Sequence, residues 1–148
     1  MITTLIAVLG TLLGAALTGT LQHLTTVSGR RDRDRQAQRA AVAQLLGAAT
    51  AHRGSQYAKH VARREDEPES TEARTSRYAA RTAMTQALTS VRLSGVPAHL
   101  QHLAADLVAA SVAVGDAPSD DRQAVDTAGA LARTAHEALE TAAAQHLA

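Results

Sequence analysis

Cysteine, phenylalanine and tryptophan are all absent from this chain of 148 residues, and Tyr57 and Tyr78 are its only aromatics. Without cysteine there is no disulfide, no thiol nucleophile and no sulfur-held metal. Without large aromatics, any core is thin and built from alanine, valine and leucine, so marginal stability and support from oligomerisation are expected. Lysine is almost missing too. Lys59 stands alone, and the other cations are arginines. Serines and carboxylates occur without a G-x-S-x-G elbow or a glycine-rich phosphate loop, which removes the usual signatures of nucleophilic and nucleotide chemistry. No catalytic residue, cofactor or metal is therefore expected, and the chain does not read as an enzyme.

Charge is also missing from the first stretch. Residues 2–21 form an uncharged run of twelve apolar side chains, three glycines and five threonines. At about 1.5 Å per residue a helix of that length reaches roughly 30 Å, the thickness of a bilayer core. Threonine hydroxyls bond back to carbonyls one turn earlier and so do not forbid insertion. No cation precedes Leu5, which argues against a cleaved leader. All fifteen cations lie at or after Arg30, and the orientation rule then places the amino terminus outside and the remainder in the cytoplasm. The expectation is a single-pass plasma-membrane protein with an anchor at 1–29. Gly10, Gly14 and Thr18 form a small-residue face that suits close helix packing in lipid.

Arg30, Arg31, Arg33, Arg35 and Arg39 follow that run, interrupted by Asp32 and Asp34. Such a segment suits an anionic membrane surface or phosphates. Nucleic acid is the weaker reading, because no aromatic is interleaved for base stacking and two aspartates would repel a phosphate backbone.

The rest of the chain is rich in alanine, the best helix former, while glycine and proline punctuate it. The pattern predicts an all-α fold in which the transmembrane helix continues into an antiparallel helical bundle of about four helices, at about 30–64, 72–93, 97–114 and 120–146. Pro68, within an acidic run, breaks the first. Ser70 or Thr71 can cap the second, Pro97 fits the start of the third, and Ser119 is expected to cap the fourth. The expected inner faces carry Val42, Leu45, Leu46, Ala49, Gly54, Tyr57 and Val61 on the first helix. Ala80, Met84, Ala87, Leu88 and Val91 follow on the second. The third, with Leu100, Leu103, Ala104, Leu107, Val108 and Ser111, is the cleanest amphipathic stripe. Val125, Ala128, Ala132, Ala135, Leu139 and Ala142 make a coiled-coil-like seam on the fourth.

Two histidines suggest chemistry. His99 and His102 are three apart, and Asp106 lies one turn beyond His102, so a metal-holding trio is geometrically allowed. A zinc site wants three protein ligands in a matched register, and two solvated histidines flanking a leucine stripe explain the pattern better.

The segment Ile6-Ala-Val-Leu-Gly-Thr-Leu-Leu-Gly-Ala-Ala-Leu-Thr-Gly19, then Leu21-Gln-His23 and an Arg/Asp/Gln-rich helix, resembles the small KilB-like membrane proteins of actinobacterial conjugative plasmids. The resemblance is carried by residues 1–45 and by an alanine- and arginine-rich composition. It implies a membrane protein linked to plasmid transfer and spread between hyphal compartments, with no active-site residues to carry over. The functional expectation is a membrane-anchored structural or interaction component, self-associating and meeting protein partners through its bundle. The alternatives are a metal- or nucleic-acid-binding membrane effector, or a holin-like membrane protein.

Overall fold

The computed structural model describes the backbone of residues 2–147 and the side chains of residues 30–147. It is all-α, with four helices: α1 (Ile2–Arg64), α2 (Thr71–Leu93), α3 (Ala98–Asp116) and α4 (Arg122–Leu147). The chain divides into two units, Met1–Gln36 and Ala37–Ala148, of which the second is a helical bundle.

Several helix ends in the bundle have identifiable causes. α1 stops in a Schellman arrangement: the Glu67 amide donates to the Ala62 carbonyl at 2.9 Å, and Asp66 takes the left-handed position with φ 57°. Ser70, rather than Thr71, caps α2, its hydroxyl accepting from the Ala73 amide at 3.1 Å. Glu72 follows in the first turn, where the helix dipole favours an acid. Gly95 (φ 76°) lets the chain turn after α2, and Pro97 occupies the N-cap of α3. The fourth helix departs from expectation: Asp121 caps α4 by accepting from the Ala124 amide at 2.9 Å. Ser119 is engaged elsewhere, against His60.

Short links of about four to six residues force neighbouring helices to run antiparallel, and cross-chain hydrogen bonds fix their register. Near the start of the bundle part of α1, Gln38 donates to the Gly95 carbonyl beyond the end of α2. Arg39 donates to the Leu147 carbonyl at the end of α4. The rings of His99 at the start of α3 and His146 at the end of α4 meet edge to face, 5.4 Å apart. At the other end, Lys59 and His60 on α1 bond to the Gly115 and Val114 carbonyls of α3.

The core is two-sided in chemistry. At the Gln38 end it is apolar: Val42, Leu45, Ala49, Met84, Ala87, Val91, Leu100, Leu107, Leu139 and Leu147 are buried together. Toward the Arg64 end the buried positions of α1 become His52, Gln56 and His60, with Ser111 from α3. The stripe expected there on α1 is Gly54, Tyr57 and Val61. Instead Gly54 is exposed, Tyr57 half-buried and Val61 43% exposed. The seam Val42, Leu45, Ala49, His52, Gln56, His60 keeps steps of three and four throughout, so geometry selects these positions and polarity does not exclude them.

Among the described residues, no helix is long and apolar enough to cross a membrane. The expected fold of a transmembrane helix feeding a bundle, and the expected single-pass plasma-membrane location with the amino terminus out, are corrected on that finding. The physical reason lies in the spacing of polar side chains. In α2, in α4 and in α1 from Arg30 on, Arg, Asp and Glu recur several times within the roughly twenty residues a span requires, and α3 sets His99, Gln101, His102 and Asp106 among its apolar residues. The run at 2–21, with Gly10, Gly14 and Thr18, lies outside the residues whose side chains are described.

Candidate functional site

Three places in the described residues carry chemistry beyond packing. The first is the arginine run. Arg30, Arg31, Arg33 and Arg35 are exposed, and Arg39, also exposed, spends its guanidinium on the carbonyl that ends α4. Arg39 thus ties α1 to the last turn of α4, where a cation complements the helix dipole.

The second is an apolar groove between α1 and α4. Val42, Ala43 and Leu46 form one wall, Ala143, Ala144 and Leu147 the other, and Arg39 stands at its end. Ala43 and Ala144 are exposed to solvent. The groove exists because alanines on both helices leave no side chain to fill the space above the buried Val42 and Leu147.

The third is the polar half of the core. His60 is fully buried, with Nε2 2.7 Å from the Val114 carbonyl and Nδ1 2.8 Å from the Ser119 hydroxyl. The carbonyl needs a donor, so Nε2 carries the proton and Nδ1 accepts from Ser119. That is a neutral imidazole. Burial holds its pKa below the ordinary value, opposed by the bond to Val114 and assisted by Lys59, Arg63 and Arg64. His52 is lowered too, by burial first and then by Arg81 and Arg77, with Asp116 opposing. His136 is lowered by burial and by Arg53, with Glu140 and Glu137 opposing. Arg53 Nη2 stands 3.4 Å from His136 Nδ1 and Nη1 donates to the Ala132 carbonyl.

Glycines bring helices close in this half. Gln56 lies where a Cβ on Gly115 would sit, 2.7 Å from its Cδ, and Tyr57 fills the same space over Gly129. His99, His102 and Asp106 are all exposed, as residues on the outer side of α3. His99 meets His146 rather than a ligand partner, and among the described residues no group of three His, Cys, Asp or Glu is placed to hold a metal ion. The residues missed in the sequence are His52, Gln56 and His60. The signal that marks them is the unbroken three-and-four seam, which a search restricted to apolar side chains passes over.

A family model described as KilB plasmid transfer protein matches residues 37–147, nearly the whole of the bundle. The chain belongs to the KilB family. A relative named Protein KilB, from Streptomyces lividans, is 45% identical over 93 residues, 62% of this chain and 63% of the relative. The match therefore spans less than two thirds of that relative's length. No solved structure matches. The sequence resemblance to KilB-like proteins is thus upheld, but the family match begins at residue 37 and runs through the bundle, whereas the resemblance rests on residues 1–45. The family's description places it in plasmid transfer.

Proposed function

We propose that the protein acts in plasmid transfer as a helical structural and interaction component, not as an enzyme, and that its bundle associates with further copies of itself. The observation that carries this reading is the coincidence of the family match, 37–147, with the folded bundle. Among the described residues no group of His, Cys, Asp or Glu is placed to hold a metal ion.

The groove between α1 and α4 supports self-association. It is apolar, open to solvent and shallow, the shape into which one exposed aliphatic side chain of another molecule fits. The same chain presents such side chains: Leu93 is 81% and Leu131 63% exposed. Exposed leucines are ordinary singly, yet here they coexist with a groove of matching chemistry. A nucleic-acid role is disfavoured, because Asp32 and Asp34 interrupt the exposed arginine run and no aromatic accompanies it.

The test is sedimentation velocity on the full chain and on Ala43→Glu and Ala144→Glu. Both positions are exposed on helices, so glutamate is compatible with the fold. Concentration-dependent association weakened by either substitution is expected. A monomer at all concentrations, or association indifferent to both charges, sinks the reading.

A further inference from the structure

We propose that the polar half of the bundle holds a binding site for one small oxyanion of the phosphate class, in a cavity between α1, α2 and α3. The cavity measures about 90 Å³ and is lined by His52, Gln56, Lys59, Arg77, Arg81 and Asp116. That is room for several waters or one tetrahedral oxyanion, and too little for a nucleoside.

Two independent observations converge here. His52 and Gln56 are 1% and 5% exposed, yet His52 Nδ1 and Gln56 Oε1 find no hydrogen-bond partner in the protein. Buried polar atoms without partners are costly, and both side chains line the cavity. Gln56 is also held in place, because it occupies the space left by the missing side chain of Gly115. An amide turned by 180° presents its NH₂ in place of the oxygen, so Gln56 is able to donate to an anion, as is His52 through Nδ1–H.

The second observation is charge. Three cations line the cavity against the single carboxylate of Asp116. The Arg77 fork is committed to Glu69, at 3.0 and 2.8 Å. Lys59 donates to the Gly115 carbonyl at 2.7 Å, which leaves two of its three N–H groups. Arg81 forms none of the ion pairs among the described residues. Beyond the effect of burial, Arg63 and Arg77 lower Lys59 against the opposing Asp116 and Glu69, and Arg81 and Arg77 lower His52 against Asp116. An oxyanion would answer both conditions, accepting from Lys59, Arg81 and the two orphaned side chains. Charge-assisted bonds to oxyanions are the strong ones.

This site is separate from the α1–α4 groove, and its test is separate from the association test. The full chain is titrated with inorganic phosphate at constant ionic strength, followed by calorimetry and by the amide shifts of His52, Gln56 and Gly115. Saturable binding at one site per chain is expected, weakened about tenfold or more by Arg81→Gln. Asp116→Asn, which removes the opposing carboxylate, is expected to tighten it. Arg92→Gln, an exposed arginine not among the cavity residues, controls for net charge. Absence of saturable binding overturns the proposal. So does equal weakening by Arg92→Gln and Arg81→Gln, which would mark the effect as general electrostatics.

Discussion

Tyr57 and Gly129 share one volume: the tyrosine hydroxyl, at the tip of the ring, lies where a Cβ on Gly129 would sit. A methyl at Gly129 must displace that ring inside a packed helix pair, and overpacking of this kind costs about 1–3 kcal/mol. Gly129→Ala is therefore expected to lower the urea midpoint. Gly47 and Gly54 have nothing within 4 Å of an added Cβ and sit in the same helix α1. There alanine is expected to raise stability by roughly 0.5–1 kcal/mol, through helix propensity alone. Opposite signs for the same substitution at Gly54 and Gly129 support this packing; equal signs contradict it. A second residue-scale prediction concerns acid. His52, His60 and His136 all have folded-state values below the ordinary 6.5. The unfolded chain then takes up protons first as pH falls. Stability is full above about 6.5 and declines below it, until the folded-state values are reached. Urea unfolding from pH 8 to pH 5 should show that decline. His60→Gln is expected to flatten part of it, and stability unchanged across that range would contradict the buried neutral imidazoles.

At the scale of elements, the helix ends follow local rules and are correspondingly easy to perturb. Asp66 occupies a left-handed position at the end of α1 that glycine tolerates better. Asp66→Gly is expected to stabilise the bundle by about 1 kcal/mol, and Gly95→Ala, at φ 76°, to destabilise it by a similar amount. Chemical denaturation of the pair reads both signs at once. Much of this level is legible in the residues. Pro68, Pro97 and the Ser/Asp positions near each helix start reveal breaks and caps, because capping depends on a few adjacent atoms. The cap of α4 is not legible. Ser119 and Asp121 are both good capping residues, and the choice between them falls to a tertiary contact, the Ser119 hydroxyl bonded to buried His60. The same limit explains the inner face of α1. The apolar pattern ends at Ala49, and burial then passes to His52, Gln56 and His60, of which His60 is met by the Val114 carbonyl of α3 and the Ser119 hydroxyl.

At the scale of the molecule, the bundle has an apolar half, a polar half and an open groove, in a chain that belongs to a plasmid transfer family. The all-α character is readable from alanine content and periodicity. The family is readable as a resemblance, although the match lies in the bundle rather than in the first 36 residues. A single-pass membrane architecture is not sustained, since no helix among the described residues has the necessary length of apolar chain. The groove and the polar cavity are beyond the sequence for a common reason: each is assembled from helices far apart in the chain, the groove where Ala43 and Ala144 leave it unfilled and the cavity where Lys59, Arg81 and Asp116 meet. Self-association through the groove, in the service of plasmid transfer, is decided by transfer frequency from a donor whose own copy of this gene is deleted. The deleted copy is replaced by the wild-type chain or by Ala43→Glu/Ala144→Glu, with helicity and unfolding midpoint matched beforehand. Deletion is expected to lower transfer, the wild-type chain to restore it, and the folded double variant to leave it low. Transfer unaffected by the deletion, or fully restored by the double variant, would contradict that role.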